Sequence, residues 1–259
     1  MRDILVFLKQ VSAGNNVKID PQTNTLIRQS ARVQTNPDDL HALQMAVNLK
    51  MQMGGGKITA ISMGPLRAEK TLREAIMFGA DNAVLVTDKH FGGSDTYCTS
   101  SILAATVIKI SPNAVLFFGK QTIDGDTAQV GPGVAAHLNI SQLIEVLEIK
   151  EFNDDFIVVE KKCNNGSQEI KSSLPCVITV SKNTTKLPVP TLNMWLKSQE
   201  AEILHLGIAD LELEIQKVGL KGSPTKVIKT EVPVFEKQPI EWLKTSEDLA
   251  TVLFSILSI

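Results

Sequence analysis

Four short apolar runs, ILVFL (4–8), KITAISM (57–63), NAVLVT (82–87) and AVLFFG (114–119), are continuous rather than alternating. Continuity of this kind suits strands covered on both faces. Between them the period changes. PDDLHALQMAVNLKMQM (37–53) repeats Leu40, Leu43, Ala46, Val47 and Met51 at helical spacing, with Asn36 placed as N-cap and Pro37 at the first helical position. GGG at 54–56 stops it. PLRAEKTLREAIMFGA (65–80) and DTYCTSSILAATVIKI (95–110) repeat the helical pattern, the second with Asp95 as its cap. The predicted order to about residue 140 alternates strand and helix after one long loop, which is an α/β fold with a parallel sheet. Ligands of such sheets usually sit beyond the carboxyl ends of the strands.

From residue 142 the pattern alternates in twos. SQLIEVLEIKE, FIVVEKKC and SQEIKSSLP, separated by the turn signals NDD and NNGS, predict an antiparallel extension, and CVITVSK (176–182) one more buried strand. Beyond 183 the chain is punctuated by Pro and Gly and loses periodicity until TSEDLATVLFSILSI (245–259), an amphipathic helix opened by a capping box from Thr245 to Asp248. This divides the chain into residues 1–183, an α/β domain with its extension, and residues 184–259, an arm shaped to lie on another subunit or to fold back on its own domain.

Composition narrows the function. The chain of 259 residues is 43% hydrophobic with a net charge of −2, and its 26 Lys and Arg form no basic stripe, which argues against a nucleic-acid partner. Cys98, Cys163 and Cys176 lie far apart with no C-x-x-C pair, so no disulfide framework or metal site is expected and a reducing cytoplasm fits. No apolar run reaches membrane-spanning length, and Ile4–Leu8 reads as a buried strand rather than a leader. His41, His90, His137 and His205 are dispersed, without metal spacing.

Chemistry concentrates after the fourth run, in IDGDTAQVGPGVAAHL (123–138). Neither the divergent environments of an acid–base pair nor the ligand spacing of a calcium loop is visible around Asp124 and Asp126. The reading adopted gives Asp126 the N-cap of a helix, Gly125 the tight turn, and the amides of Thr127, Ala128, Gln129, Val130 and Gly131 an anion such as phosphate. An ordinary capped turn is the competing reading. TNPDD (35–39), SMGP (62–65) and FGGSDTYCTSS (91–101) are further strand-end turns or helix starts, each explicable by capping alone. Together they suggest a nucleotide. The Walker A motif and a G-x-G-x-x-G after the first strand are absent.

The set FLKQV (7–11), KIDPQTNTLIR (18–28), TNPDD (35–39), ISMGP (61–65), LREAIMFGAD (72–81), GGSDTYCTS (92–100) and GKQTIDGDTAQVGP (119–132) closely resembles the β subunit of an electron-transfer flavoprotein. The resemblance implies a Rossmann-like, adenine-nucleotide-hydrolase-like parallel sheet with helices on both faces, plus the extension and the C-terminal arm. It also implies a heterodimer with an α subunit that carries its own FAD. Simple members hold structural AMP in this subunit. Electron-bifurcating members hold a second FAD that exchanges a hydride with NAD(H) and divides electrons between ferredoxin and a flavin-dependent dehydrogenase. Carried over by position, the nucleotide pocket would use Phe7, Asn36, Pro37, Asp38, Asp39, Met63, Gly64 and the loop of Gln121, Asp124, Gly125, Asp126, Thr127, Ala128, Gln129, Val130 and Gly131. The GGSDT segment looks like that of the bifurcating group and adds Asp95, Thr96 and Thr99, favouring FAD over AMP. The partner-recognition loop, commonly PRYPSLKGIM in the family, is LPVPTLNMWL (187–196) here. Its leucine anchor remains as Leu192, while Pro188 and Val189 replace Arg and Tyr; Met194 and Trp195 complete an apolar surface for a different dehydrogenase, unless the loop has simply drifted.

Overall fold

The computed structural model describes residues 2–12, 33–228, 242–243 and 245–257. Two compact units result, residues 1–227 and 228–259. The four apolar runs form strands β1 (Ile4–Phe7), β4 (Ile58–Met63), β5 (Asn82–Val86) and β6 (Val115–Gly119), as their continuity predicts. A small antiparallel pair, β2 (Gln10–Ser12) and β3 (Val33–Thr35), follows β1. The motif at 18–28 falls outside the described residues.

Seven parallel strands make the main sheet, in the order β12 (Ile203–Leu206), β5, β4, β1, β6, β11 (Cys176–Val180), β7 (Ser141–Leu143). Helices α1 (Pro37–Gln52) and α2 (Glu69–Met77) cover one face, burying Leu43, Leu49, Leu72 and Ala75 against Ile4, Val6, Ile58 and Phe117. The other face takes α3 (Thr96–Ile110) and α4 (Val130–Leu138), whose Ile102, Leu103 and Val134 pack on Leu5, Ile61 and Leu116. Alternate residues of each strand therefore enter opposite cores, which is why these strands read as unbroken apolar runs. The α/β fold with helices on both faces is as expected.

The separate antiparallel sheet consists of β8 (Val146–Phe152), β9 (Phe156–Cys163) and β10 (Gly166–Ser173). Its first turn is set by Asn153, whose side-chain oxygen accepts from the amides of Asp155 and Phe156 at 2.9 Å each. The start of the expected extension is corrected: Ser141–Leu143 pairs in parallel with β11 and belongs to the main sheet. Three residues are too few for periodicity to distinguish the two settings.

Beyond 183 the structure departs further from the sequence pattern. LPVPTLNMWL, expected as a loop, contains the start of helix α5 (Leu192–Glu200), capped by Thr191, whose hydroxyl accepts from the Met194 amide at 3.3 Å. The next segment supplies the edge strand β12, and Leu206, Leu211 and Val218 join the core beside α3. The main sheet thus takes its edge strand from beyond residue 183, and the compact units divide at 227/228. After the short helix α6 (Gly219–Gly222), the second unit contains α7 (Ser246–Leu257), opened by the expected capping box: the Thr245 hydroxyl accepts from the Asp248 amide and the Asp248 carboxylate from the Thr245 amide, both at 3.1 Å. Leu249, Leu253 and Phe254 on α7 are exposed. Among the described residues no helix is long and apolar enough to cross a membrane.

A chain ending after Val227 is expected to unfold cooperatively in guanidinium. One ending after Asn183 loses β12 and three core side chains, a cost of about 5 kcal/mol or more. Equal stability of the two would return the boundary to 183.

Candidate functional site

Sheet growth reverses at β1, with β4 on one side and β6 on the other, and in open α/β sheets the ligand crevice lies beyond the carboxyl ends of the strands at such a reversal, here β1 and β6. The first turn of α1 fills its floor. Asn36 occupies the N-cap position and Pro37 the first helical position as predicted, but the Asn36 side chain makes no capping bond. It reaches across the crevice instead. Its Nδ2 donates to the Gln121 carbonyl at 2.8 Å and to Asp39 Oδ1 at 3.0 Å, and its Oδ1 accepts from the Ile123 amide at 3.3 Å.

The two aspartates that follow tie strand ends together. Asp39 accepts from the Lys9 amide at 2.7 Å and the Gly119 amide at 3.1 Å, joining β1 to β6. Asp38 accepts from Lys182 at 3.0 Å and Gln121 at 3.4 Å, joining β11 to β6. His41, one turn on, holds the same segment: Nε2 accepts from the Asn183 amide at 3.1 Å and Nδ1 lies 2.9 Å from the Thr185 hydroxyl. Asn36, Asp38 and Asp39 are buried, and their side-chain polar atoms are engaged within the protein. Burial pushes the Asp39 carboxyl up to about 7, against the Asn36 and Lys9 donors and with a smaller upward push from Asp38. Burial likewise lowers the His41 pKa, which suits a ring nitrogen that accepts from an amide.

The loop above this floor is open, with residues 123–127 exposed. Thr122 closes its turn, the carbonyl accepting from the Asp126 amide at 2.8 Å. Lys9 Nζ pairs with Asp124 Oδ1 at 2.7 Å across the mouth of the crevice. Burial pushes the Asp124 carboxyl up, yet the Lys9 hydrogen bond and charge outweigh it and hold the group below its usual range. The helix predicted to start at Asp126 begins later. Asp126 and Ala128 have φ of 50° and 52°, left-handed values incompatible with a helix, so α4 starts at Val130 and Asp126 does not cap it. Gln129 takes the N-cap position without a side-chain cap, leaving the first-turn amides of α4 unserved by a cap. Gly131 is buried against Thr179 and the Phe118 ring, where a Cβ would stand 3.1 and 3.3 Å away. Phe118 stacks on Phe7 at 4.2 Å between centroids and 3° between planes.

The remaining candidates frame the edge. Met63 ends β4, and the Gly64 amide donates to the Val86 carbonyl at 3.0 Å. Asp95 caps α3 as expected, accepting from the Cys98 amide at 3.0 Å, and its own carbonyl accepts from the Thr99 amide at 2.9 Å. The Thr96 hydroxyl donates to Gln129 Oε1 at 2.8 Å, joining the starts of α3 and α4. Leu192, Met194 and Trp195 stand on α5, a separate element held against α2 by Arg73, which donates to the Ser198 and Gln199 carbonyls at 2.9 and 2.8 Å. Leu192 is 70% exposed and Trp195 47%, while Met194 is half-buried. Trp195 also lines a cavity of about 440 Å³ with Thr35 and Glu74; another, of about 190 Å³, is bordered by Glu145, Lys162 and Lys182.

Lys9 and His41 were not identified in sequence as site residues. Lys9 was visible as the second residue beyond the first strand; nothing along the chain links His41 to residues 183–185.

Gly119→Ala would place a Cβ 2.1 Å from Asp39 Oδ1 and 2.8 Å from its amide nitrogen, and is expected to cost about 2–3 kcal/mol or more in denaturant unfolding. Gly125→Ala, meeting the Thr122 hydroxyl at 3.4 Å and Lys9 Nζ at 3.9 Å, should cost less than about 1 kcal/mol. Because the folded Asp39 pKa lies above its ordinary 3.8, the folded chain retains a proton that the unfolded chain has released. Its contribution to stability is complete below about pH 4 and is lost as pH rises through about 7. Asp39→Asn is expected to flatten this part of the stability profile while costing about 1–3 kcal/mol by turning an amide donor toward a backbone N–H. An unchanged slope in the variant would assign the profile to other groups.

Residues 23–204 match the electron transfer flavoprotein domain family. The chain is 42% identical over 236 residues to the electron transfer flavoprotein subunit beta of Thermoanaerobacterium thermosaccharolyticum, covering 91% of this chain and 90% of that protein. It is 39% identical over 252 residues to protein FixA of Sinorhizobium fredii, covering 94% and 88%. It is also 40% identical over 228 residues to the electron transfer flavoprotein subunit beta of Clostridium acetobutylicum, covering 88% and 87%. The chain therefore belongs to the electron-transfer flavoprotein family, as a subunit of the β type.

Proposed function

We propose that this subunit holds FAD at the carboxyl edge of its sheet, pairs with an α subunit and works in the cytoplasm. Within that complex it exchanges a hydride with NAD(H), and electrons divide or merge between ferredoxin and a partner flavin dehydrogenase. The dehydrogenase's substrate would be an acyl- or enoyl-CoA, or a 2-hydroxy acid such as lactate. The observation that carries the nucleotide reading is the uncapped start of α4 beside the β1–β6 crevice. Helix-start amides without a side-chain cap suit an anion, and the donor set there fits a nucleotide phosphate.

Thr127, Ala128, Gln129, Val130 and Gly131 would hold the phosphates through their backbone. Lys9, paired with Asp124, would keep the loop over the crevice, while Asn36, Asp38 and Asp39 act from beneath by fixing the strand ends to which that loop is attached. Met63, Gly64 and the start of α3 would border the rest of the ligand. The flavin, when bound, supplies the hydride and one-electron chemistry, so no side chain is assigned as acid or base. The GGSDT segment supports FAD and the bifurcating type, through its likeness to that group. AMP would use the same phosphate contacts.

Counting the nucleotides released from the purified αβ complex separates the two. Two FAD per heterodimer, with flavin reduced by NADH, is the expected result; one FAD and one AMP would overturn the bifurcating reading. On α5, Leu192→Ala is expected to weaken capture of the dehydrogenase by about tenfold with nucleotide content unchanged. Loss of flavin with capture intact would reassign Leu192 to the nucleotide site.

A further inference from the structure

Asp95 does more than cap α3. Its Oδ1 accepts from the Cys98 amide, while Oδ2 accepts from both the amide and the hydroxyl of Thr225, at 3.0 and 2.8 Å. Its own amide donates to the Ser223 hydroxyl at 2.9 Å, which in turn donates to the Gly219 carbonyl at 2.7 Å. The segment so held is fitted closely to the loop before α3. The Leu220 amide donates to the Gly92 carbonyl at 3.1 Å, and a Cβ on Gly219, whose φ is 62°, would fall 2.0 Å from the His90 carbonyl oxygen. Val218 and Ser223 are buried. Thr225 lies just before the division between the compact units at 227/228.

The next residue carries the connection onward. Thr96 donates to Gln129, the N-cap position of α4, and the Ser100 hydroxyl donates to the Thr96 carbonyl at 2.7 Å and lies 3.3 Å from the Val130 carbonyl. Two hydrogen-bonded contacts, Thr225 to Asp95 and Thr96 to Gln129, are therefore linked through the Asp95–Thr96 peptide bond at the start of α3. The far end of this linkage is the helix start assigned above to the nucleotide phosphates.

We infer that Asp95 is a positioning residue rather than a nucleotide contact, and that it couples nucleotide binding at the start of α4 to the docking of residues 218–225. The inference rests on the nucleotide reading of that helix start. Both carboxylate oxygens of Asp95 are engaged by the protein, so the group is committed to the clasp. Burial pushes its pKa up, but these donors outweigh burial and hold it below the usual range, as a carboxylate bound in place requires. Coupling is reciprocal: a ligand that fixes Gln129 must also favour the docked segment, and releasing the segment must weaken the ligand.

The test uses the chain in its native complex, with AMP, ADP and FAD as probes. Thr225→Val removes one donor to Asp95 and leaves the cap of α3 in place, so folding is preserved. Dissociation of the bound probe is expected to become about three- to tenfold faster. Adding Gln129→Ala to Thr225→Val should produce less than the product of the separate effects, because both interrupt one path. In the unsubstituted complex, adding nucleotide should slow hydrogen exchange of the Leu220 and Thr225 amides, and Gln129→Ala should abolish that slowing. Unchanged dissociation in Thr225→Val, or exchange at 218–225 that ignores nucleotide, would overturn the coupling while leaving the nucleotide site standing. Failure of the unsubstituted complex to hold any probe on this subunit would overturn the site reading, and the coupling with it.

Discussion

One carboxylate joins the two strands on which the candidate site depends. Asp39 receives the Lys9 amide from the end of β1 and the Gly119 amide from the end of β6, at the place where sheet growth reverses. Backbone groups at diverging strand ends have no ladder partner, and leaving them unpaired in a buried setting would be costly. A single acceptor supplied by the first turn of α1 satisfies both. Glycine at 119 is required for that approach, since any Cβ would fall 2.1 Å from the Asp39 carboxylate oxygen.

Around this contact the TNPDDLH stretch acts as a fastening. Asn36 ties the loop after β6, Asp38 adds the end of β11, and His41 extends the hold to residues 183–185, which lead toward α5. The polar residues that the sequence marks as ligand contacts thus divide into two sets. Those of α1 and Asp95 spend their hydrogen bonds on the protein, whereas the loop from Asp124 to Gln129, tied at its ends by Lys9 and Thr96, is exposed over Asp124–Thr127 with an uncapped helix behind it. Placing a nucleotide on the second set gives the first set a reason to be rigid: preorganised supports reduce the ordering cost of binding.

The sequence disclosed the sheet because strands buried on both faces are written as unbroken apolar runs, and α1 and α3 because their boundary residues and apolar spacing agree. Other elements were concealed for identifiable reasons. Ser141–Leu143 and Ile203–Leu206 are too short for a period to emerge, so in sequence β7 reads with the antiparallel strands and β12 with the arm. Pro188 and Pro190 made the start of α5 read as loop. The Asp-Gly-Asp turn imitates a helix cap, but left-handed backbone at Asp126 and Ala128 delays α4 to Val130. The contacts of His41 and Asp95 span more than a hundred residues, a separation over which pattern along the chain is silent. The residues marked by family likeness, Phe7, Asn36, Gln121 and Gly131 among them, lie around the β1 and β6 ends, and their differing hydrogen-bond partners are contacts that pattern along the chain does not carry.

We propose that the start of α4, and not another surface of this subunit, receives the nucleotide's phosphates. Amide chemical shifts, followed in the nucleotide-stripped complex as ADP is added, address it most directly. The largest changes are expected on Thr127 to Gly131, with smaller ones at Lys9 and Thr96. Largest changes at Glu145, Lys162 and Lys182, or none in residues 127–131, would contradict it.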